Sequence, residues 1–409
     1  MGQRPATPPG VAADGKPFAL PEYLRKAPAH CPDPHTAARS LRELIDAHSD
    51  EAERIGYLPE AVVKAVADTG LYGMLLPKEV GGAEPHPSNM LDAVAELAYA
   101  DGSTGWAVMA CQFATAIIGS SGSQRMLDMA FGQGAGYTGA GHISQLGRAD
   151  RVDGGYMARG NFRFGSGSRE AAWFVGAFVE HDQGKPVLNE QGQPTVKYLF
   201  APRENIRLRG NWDVMGLGAT ASYDFEFPEQ FVPSDMVNTG KHERGGPATQ
   251  IQVGLGHGAW ALGAARRALD EVRKLAKNKK RFARTGLIDQ PTFHLDYARH
   301  EAMLRAAFDH SRAAFTRHYD ALAKGADNIE VHADYRLAAC WAVETGFNVA
   351  QFAWRAGGSD ILRNADGTNR LQRCYRDLCA GYQHRHTDYN TAMDCATVFL
   401  GIAPPSLVL

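Results

Sequence analysis

Apolar and polar positions repeat along this chain with two different periods, and the switch between them divides it into three blocks. From about residue 34 to 131 the repeat is helical. Within residues 35–55, Ala38, Leu41, Leu44, Ile45, Ala52 and Ile55 fall near one face, with charges opposite. Pro59 and Gly70 frame a second predicted helix over residues 60–69, Pro opening it and Gly ending it. Ser88 is placed to cap a helix over residues 89–100, which Asp101-Gly102-Ser103-Thr104 breaks before Gly105-Trp106 opens another. From about residue 136 to 237 the period drops to two. Asp153-Gly154-Gly155 supplies the φ > 0 positions of a hairpin turn, and Asn161-Phe162-Arg163-Phe164 alternates as a half-buried strand does. That strand ends in Gly165-Ser166-Gly167-Ser168, where small residues let the backbone approach a flat ligand. Residues 171–179, 195–201, 206–208 and 222–227 predict further strands. From about residue 249 to 400 the pattern is helical again, with long amphipathic stretches over 259–280, 293–322 and 331–356. No strand–helix alternation and no GxGxxG after a strand occurs, which argues against a dinucleotide-binding fold.

Composition narrows the class. The 409 residues carry a formal net charge of -2, which implies no polyanionic partner. The basic run Arg273, Lys274, Lys277, Lys279, Lys280, Arg281, Arg284 lacks interleaved aromatics and reads as a solvated helix face, so nucleic acid is not expected. Cys31, Cys111, Cys340, Cys374, Cys379 and Cys395 form no CxxC or His-rich pairing, which argues for reduced cytoplasmic thiols and against a disulfide framework or a metal site. The uncharged run 102–124 contains Gln, Ser, Thr and Gly, so it predicts a buried helix and not a membrane span.

An all-α block, a β block and an α block of long helices is an unusual order. Over residues 35–400 the chain resembles the acyl-CoA dehydrogenase superfamily. The resemblance rests on Leu75-Leu76-Pro77 with Gly81-Gly82, on Ala100 to Thr104, and on Gly155-Tyr156, Gly160, Phe164 and Ser166-Gly167. It continues through Trp212 to Thr220, Phe231-Val232-Pro233, Gly357-Gly358-Ser359 and Arg376-Asp377. It implies an α+β multi-domain fold: an N-terminal helical domain over 34–132, a central β-barrel domain over 133–240 and a C-terminal four-helix bundle over 241–409; before it, Pro and Gly in MGQRPATPPG predict a loose tail over 1–33. It also implies a homotetramer.

Two chemistries share that architecture. Dehydrogenases of the superfamily often place a Glu base soon after the Arg-Asp pair, whereas this chain reads Gln383-His384-Arg385-His386 there. In the monooxygenase branch, which includes the oxygenase components for 4-hydroxyphenylacetate, phenolic secosteroids and dibenzothiophene, a His stands at this place. The resemblance therefore implies an oxygenase that takes reduced FMN, or FAD, from a separate NAD(P)H-dependent flavin reductase. It would use O2 to hydroxylate an aromatic or other apolar small molecule through a C4a-hydroperoxyflavin. His384 is then the base toward the acceptor, since an imidazole titrates near neutral pH, with Asp388 four residues on along the same helical face to orient it. Ser166 is the hydroxyl beside flavin N5. Trp106, His142, Ser144, Phe164 and Trp212 are flavin or cavity residues, and His142 also faces the substrate. Lys279, Arg281, Gly357, Gly358 and Ser359 reach flavin phosphates of a neighbouring subunit. Phenol hydroxylases of the branch often carry a further His after the Trp106 position; here AVMACQFATAII leaves Gln112 as the polar substitute, which favours a larger or more apolar acceptor. The alternatives are an acyl-CoA dehydrogenase with a relocated base, and a non-catalytic flavin-binding or structural homologue.

Overall fold

The computed structural model describes residues 19–132, 134–238, 243–279, 285–326, 328–362 and 370–402. The helical beginning comprises α1 (Glu22–Arg25), α2 (Pro34–Ser40), α3 (Arg42–Ile55), α4 (Glu60–Asp68), α5 (Pro87–Ala100), α6 (Gly102–Ser121) and α7 (Gln124–Leu127). Asp33 caps α2 by accepting from the Thr36 amide at 3.1 Å. The predicted helix over 35–55 is divided at Leu41, which ends α2 and begins α3. His86, not Ser88, caps α5, its Nδ1 accepting from the Ser88 amide. Asp101 caps α6 through Thr104, so the polar tetrad is itself the helix start. Residues 19–33 are packed and not a loose tail, because Leu20, Leu24 and Cys31 are buried apolar groups in the core.

The middle of the chain forms one eight-stranded mixed sheet: β1 (Gly139–Val152), β2 (Gly155–Gly165), β3 (Trp173–Asp182), β4 (Lys185–Pro186), β5 (Val196–Pro202), β6 (Arg207–Leu208), β7 (Tyr223–Pro233) and β8 (Val237–Asn238). Its order is β6-β7-β2-β1-β3-β5-β8, with β4 on β3. Among the described residues no pairing joins β6 to β8, so the sheet is open where a barrel was expected. The hairpin turns at Asp153-Gly154, where Val152 pairs with Gly155 and Gly154 has φ 74°. The strand after the Gly/Ser segment, β3, does not return beside β2. It crosses over and pairs in parallel with β1. The Gly165–Ser168 segment therefore lies at the end of β2 remote from the hairpin turn. One face of the sheet is filled by Phe162, Phe174, Phe178, Phe225 and Phe227, with Phe162 stacked on Phe225 at 5.1 Å between ring centres.

The last block has α8 (Pro247–Gln250), α9 (Gln252–Asn278), α10 (Pro291–Ala323), α11 (Ile329–Gly357), α12 (Arg370–Gly381) and α13 (Tyr389–Phe399). Helix α9 packs against α5, α10, α11 and α12, and so joins the two helical blocks. The Trp260 indole, fully buried on α9, donates to the Gly102 carbonyl at 2.8 Å and ties α9 to the start of α6. No helix among the described residues is long and apolar enough to cross a membrane.

Candidate active site

The site is built where α6, the end of β2, the loop before β7, α9 and the turn after α12 converge. Its first component is a line of hydroxyls. The Trp106 indole on α6 donates to Ser166 Oγ at 3.1 Å. Ser166 Oγ lies 2.8 Å from Ser222 Oγ, which lies 2.6 Å from Thr220 Oγ1. Thr220 in turn donates to the Leu217 carbonyl at 2.9 Å. The turn carrying Ser166 is held against α6 because Gly167 is at φ 73°. A Cβ there would also stand 2.3 Å from Cys111 Sγ, so a side chain would push the segment off the helix.

The loop carrying Leu217 and Thr220 is clamped by the Arg376-Asp377 pair. Asp377, 1 % exposed, accepts from the Leu217 amide at 2.6 Å, and Arg376 donates to the Met215 carbonyl at 2.8 Å while pairing with Glu53 at 2.7 Å. Burial, with Glu53 and Asp101 adding like charge, pushes the Asp377 carboxyl up to about 8. These landmark residues act on the site through backbone geometry.

The second component is a histidine cluster. His384 follows the end of α12, and its ring stacks on His257 of α9 at 4.1 Å between centres and 24° between planes. The Trp106 ring meets His384 edge-on at 5.5 Å, His257 at 5.2 Å and Trp260 at 4.8 Å. His386 lies 5.4 Å from His384 and 6.1 Å from His257. Gly381 makes this approach possible: a Cβ there would meet the Trp260 ring at 2.3 Å and the Trp106 ring at 3.1 Å. Burial first, then His257, His386, His142 and Arg336, holds the His384 imidazole well below its ordinary value. Burial and His257 likewise drop His386 to about 3. His384 is thus a neutral imidazole at physiological pH. Its Nδ1 accepts weakly, at 3.4 Å, from the His386 amide, so Nε2 carries the ring hydrogen until a donor arrives at that nitrogen.

The cluster corrects several expectations. His384 and Asp388 do not share a helical face, because α12 ends at Gly381 and a 3-10 turn over Arg385–Thr387 intervenes. Asp388 caps α13 instead, accepting from the Thr391 amide at 3.0 Å and from Asn390 at 3.1 Å, and its charge acts on His386. Gln112 is about 120° around α6 from Trp106. It donates to the Leu71 carbonyl at 2.6 Å in the protein interior, so it does not take the place of a substrate-facing His. His257 was missed from the sequence; its one signal was an imidazole set among Gly254, Gly256 and Gly258 in an otherwise apolar helix start. The Gly256 position lets Met109 and Phe113 of α6 close on α9 beside it.

His142 stands on β1, where the pairing with β3 shifts register between His142 and Leu146, and it interacts with both the Arg163 backbone and Arg385. Burial lowers its pKa. Ser144 lies exposed in that irregular stretch. Phe164 adopts φ 58°, unusual for an aromatic residue, and its ring, 57 % exposed, meets Trp212 edge-on at 6.1 Å. The Trp212 indole donates to the Leu217 carbonyl at 2.9 Å. Together the open Phe164 ring, Trp212 and the Ser166 hydroxyl form an apolar shelf with a polar edge, which fits a flat heteroaromatic ring such as a flavin.

The predicted phosphate residues divide. Lys279 is brought to the Gly357-Gly358 turn, donating to the Gly357 carbonyl and pairing with Asp360 at 2.7 Å beside a cavity of about 350 Å³. Its charge is therefore already shared with a carboxylate. Ser359 lies in the 3-10 turn over Gly358–Ile361, and Arg281 lies outside the described residues.

Comparison with known proteins gives the family. The family model for the acyl-CoA dehydrogenase N-terminal domain matches residues 35–128, and that for the acyl-CoA dehydrogenase C-terminal domain matches residues 255–389, reaching through the histidine turn. The chain belongs to the acyl-CoA dehydrogenase superfamily. Within that superfamily it is similar to an indole-3-acetate monooxygenase from Pseudomonas putida. The two are 27 % identical over 401 residues, covering 93 % of this chain and 97 % of the relative. It is 31 % identical over 206 residues to the flavin-dependent monooxygenase oxygenase subunit HsaA from Rhodococcus jostii, covering 48 % of this chain and 49 % of that subunit. Its fold matches XiaF from Streptomyces, solved with FADH2 and glycerol. The TM-score is 0.81 at 22 % identity, over 92 % of this chain and 97 % of that one.

Proposed function

We propose that this protein is the oxygenase component of a two-component flavin-dependent monooxygenase. It takes reduced flavin from a separate reductase and transfers one oxygen atom of O2 to an aromatic or other apolar small molecule. The observation that carries the reading is the meeting of Ser166, Trp106 and a neutral, stacked His384 beside the Phe164–Trp212 shelf. The groups that act most on the His384 charge are imidazoles and a guanidinium, which favours this reading over that of a dehydrogenase with a relocated carboxylate base. Phe164, Trp212, Ser166 and Trp106 would hold the flavin ring. When bound, the reduced flavin supplies the electrons that activate O2. The chain's own residues do the rest. The Trp106 ring packs edge-on against Trp260, His257 and His384, and Ser166 would offer its oxygen to the flavin ring edge. Neutral His384 would accept the acceptor's proton and become imidazolium. His142 and His386 stand near His384 and act on its charge.

The reading includes a homotetramer. It is supported by the exposed apolar side chains Tyr389, Met393, Phe399 and Leu400 on and after α13, with Trp341 on α11. In such an assembly Lys279 and the Gly357-Gly358-Ser359 turn would meet a neighbour's flavin phosphate in exchange for Asp360. Light scattering that returns a monomer would remove this part. The reading as a whole is tested by mixing the purified chain with photoreduced FMN and air-saturated buffer containing indole as a probe acceptor under 18O2. Labelled product, or acceptor-dependent suppression of peroxide release, is expected. Bleaching of bound oxidised FAD by an acyl-CoA, with no oxygen transfer, would replace it with the dehydrogenase alternative.

A further inference from the structure

The turn that follows His384 presents a guanidinium to the site. Arg385 begins the 3-10 turn over Arg385–Thr387, directly after His384. The backbone of that turn is fixed at each residue. Thr391 Oγ1 donates to the Arg385 carbonyl at 3.1 Å, Arg336 to the His386 carbonyl at 3.0 Å, and the Thr387 amide to the His384 carbonyl at 3.0 Å. The Arg385 side chain is exposed, and among the described residues its guanidinium makes no hydrogen bond or ion pair. Its charge acts on His142 of β1 and on His386, and both of these act in turn on His384. The carboxylates that act on the same two histidines are committed elsewhere. Asp224, which acts on His142, accepts from the Asn211 side chain at 2.9 Å, and Asp388, which acts on His386, caps α13. The nearby arginines differ from Arg385 in this respect: Arg336 holds the His386 carbonyl and Arg376 pairs with Glu53.

We propose that Arg385 is a specificity-determining residue that binds an anionic group of the acceptor, and hence that the acceptor is an aromatic acid whose carboxylate stands clear of the oxygenated ring. The inference rests on the monooxygenase reading above and narrows its acceptor. A guanidinium offers a planar fork of donors that meets a carboxylate with two hydrogen bonds at once. With its backbone held and its side chain unengaged, Arg385 can make that pair without breaking another. The Trp106, His257 and His384 rings supply the aromatic surroundings for the other end of the acceptor. An anion at Arg385 also offsets the like charge that it brings to His142 and His386, whereas a cationic acceptor would add to it. Flavin phosphate is the other anion such a site would meet. The acceptor is the better match because Arg385 adjoins His384, the group that acts on the acceptor.

The test compares acids with their uncharged isosteres. Rates of oxygen transfer are measured on the full chain with photoreduced FMN, using indolepropionate and hydroxyphenylpropionate, each beside its amide. Wild type should favour acid over amide in kcat/KM by about tenfold, the scale of one charge-assisted hydrogen bond, and added salt should shrink the preference. Arg385→Gln should bring the acid down to the amide through a higher KM, and Arg385→Lys, which keeps the charge but not the fork, should retain part of the ratio. A structural disturbance would lower acid and amide together and leave the ratio as it was. Equal use of acid and amide by wild type, or a preference that survives in Arg385→Gln, would overturn the proposal while leaving oxygen transfer in place. Affinities for FMN and riboflavin are measured by ultrafiltration on the same proteins. Loss of an FMN preference in Arg385→Gln would assign Arg385 to the flavin phosphate and overturn the proposal in a different way. No oxygen transfer to any of these probes by wild type would remove the monooxygenase reading, and this inference with it.

Discussion

Asp377 offers the most direct test of how the site is held. Its carboxyl is buried, it accepts the Leu217 amide at 2.6 Å, and burial with Glu53 and Asp101 raises its pKa from 3.8 to about 8. The folded chain therefore keeps a proton that the unfolded chain releases above about pH 4. Stability from this group is fullest below the unfolded value and declines as pH rises toward 8, with a limiting slope of about 1.4 kcal/mol per pH unit. Asp377→Asn keeps the acceptor oxygen and the shape but has no proton to lose. At pH 5 the two should differ least, by roughly 1–2 kcal/mol. At pH 8 it should be the more stable protein by a few kcal/mol, an order-of-magnitude figure from the same linkage. Asp377→Ala leaves the Leu217 amide unpaired and should cost about 1–3 kcal/mol at every pH. Urea unfolding of the full chains at pH 5, 6.5 and 8, followed by tryptophan fluorescence, gives the three curves. Glu170, which burial raises to about 7, adds a slope common to all of them and cancels in the difference. Parallel curves for wild type and Asp377→Asn would refute the assignment, and would mean that Asp377 is ionised in the folded protein.

Three further outcomes are expected. Replacing His384 by Ala should lower product formation about 10²- to 10⁴-fold with any acceptor that wild type turns over, while oxygen consumption continues as peroxide; unchanged product yield would return His384 to a packing role. His257→Phe keeps the ring stack and removes an imidazole that holds His384 down, so His384 should titrate at higher pH and lose its neutral form sooner on acidification. Histidine-selective NMR titration reads this, and an unmoved resonance would sink it. Gly381→Ala forces a methyl into the Trp260 ring and should destabilise by about 1–3 kcal/mol, read as a lower urea midpoint, and the displaced Trp106 should also raise peroxide release.

Much of the architecture was legible in the chain itself, because periodicity and turn chemistry are local properties. The α–β–α block order, the turn at Asp153-Gly154, the buried uncharged helix α6 and the small-residue segment around Ser166 all follow from residues a few positions apart. His384 was legible only through resemblance, since a His in a polar run has no period to mark it. What tertiary structure alone decided is every relation between distant segments. The parallel pairing of β1 with β3 and the open sheet are choices among strand partners that alternation does not rank. The helix expected through residues 384–388 gives way to a turn because Gly381 must pack on Trp260 and Asp388 is better used as a cap. The stack of His257 on His384 and the line from Ser166 through Ser222 to Thr220 join residues that no local pattern relates. They exist because α9 and the Arg376-Asp377 clamp bring those segments together, and a hydrogen bond or ring contact forms only once that long-range packing has been made.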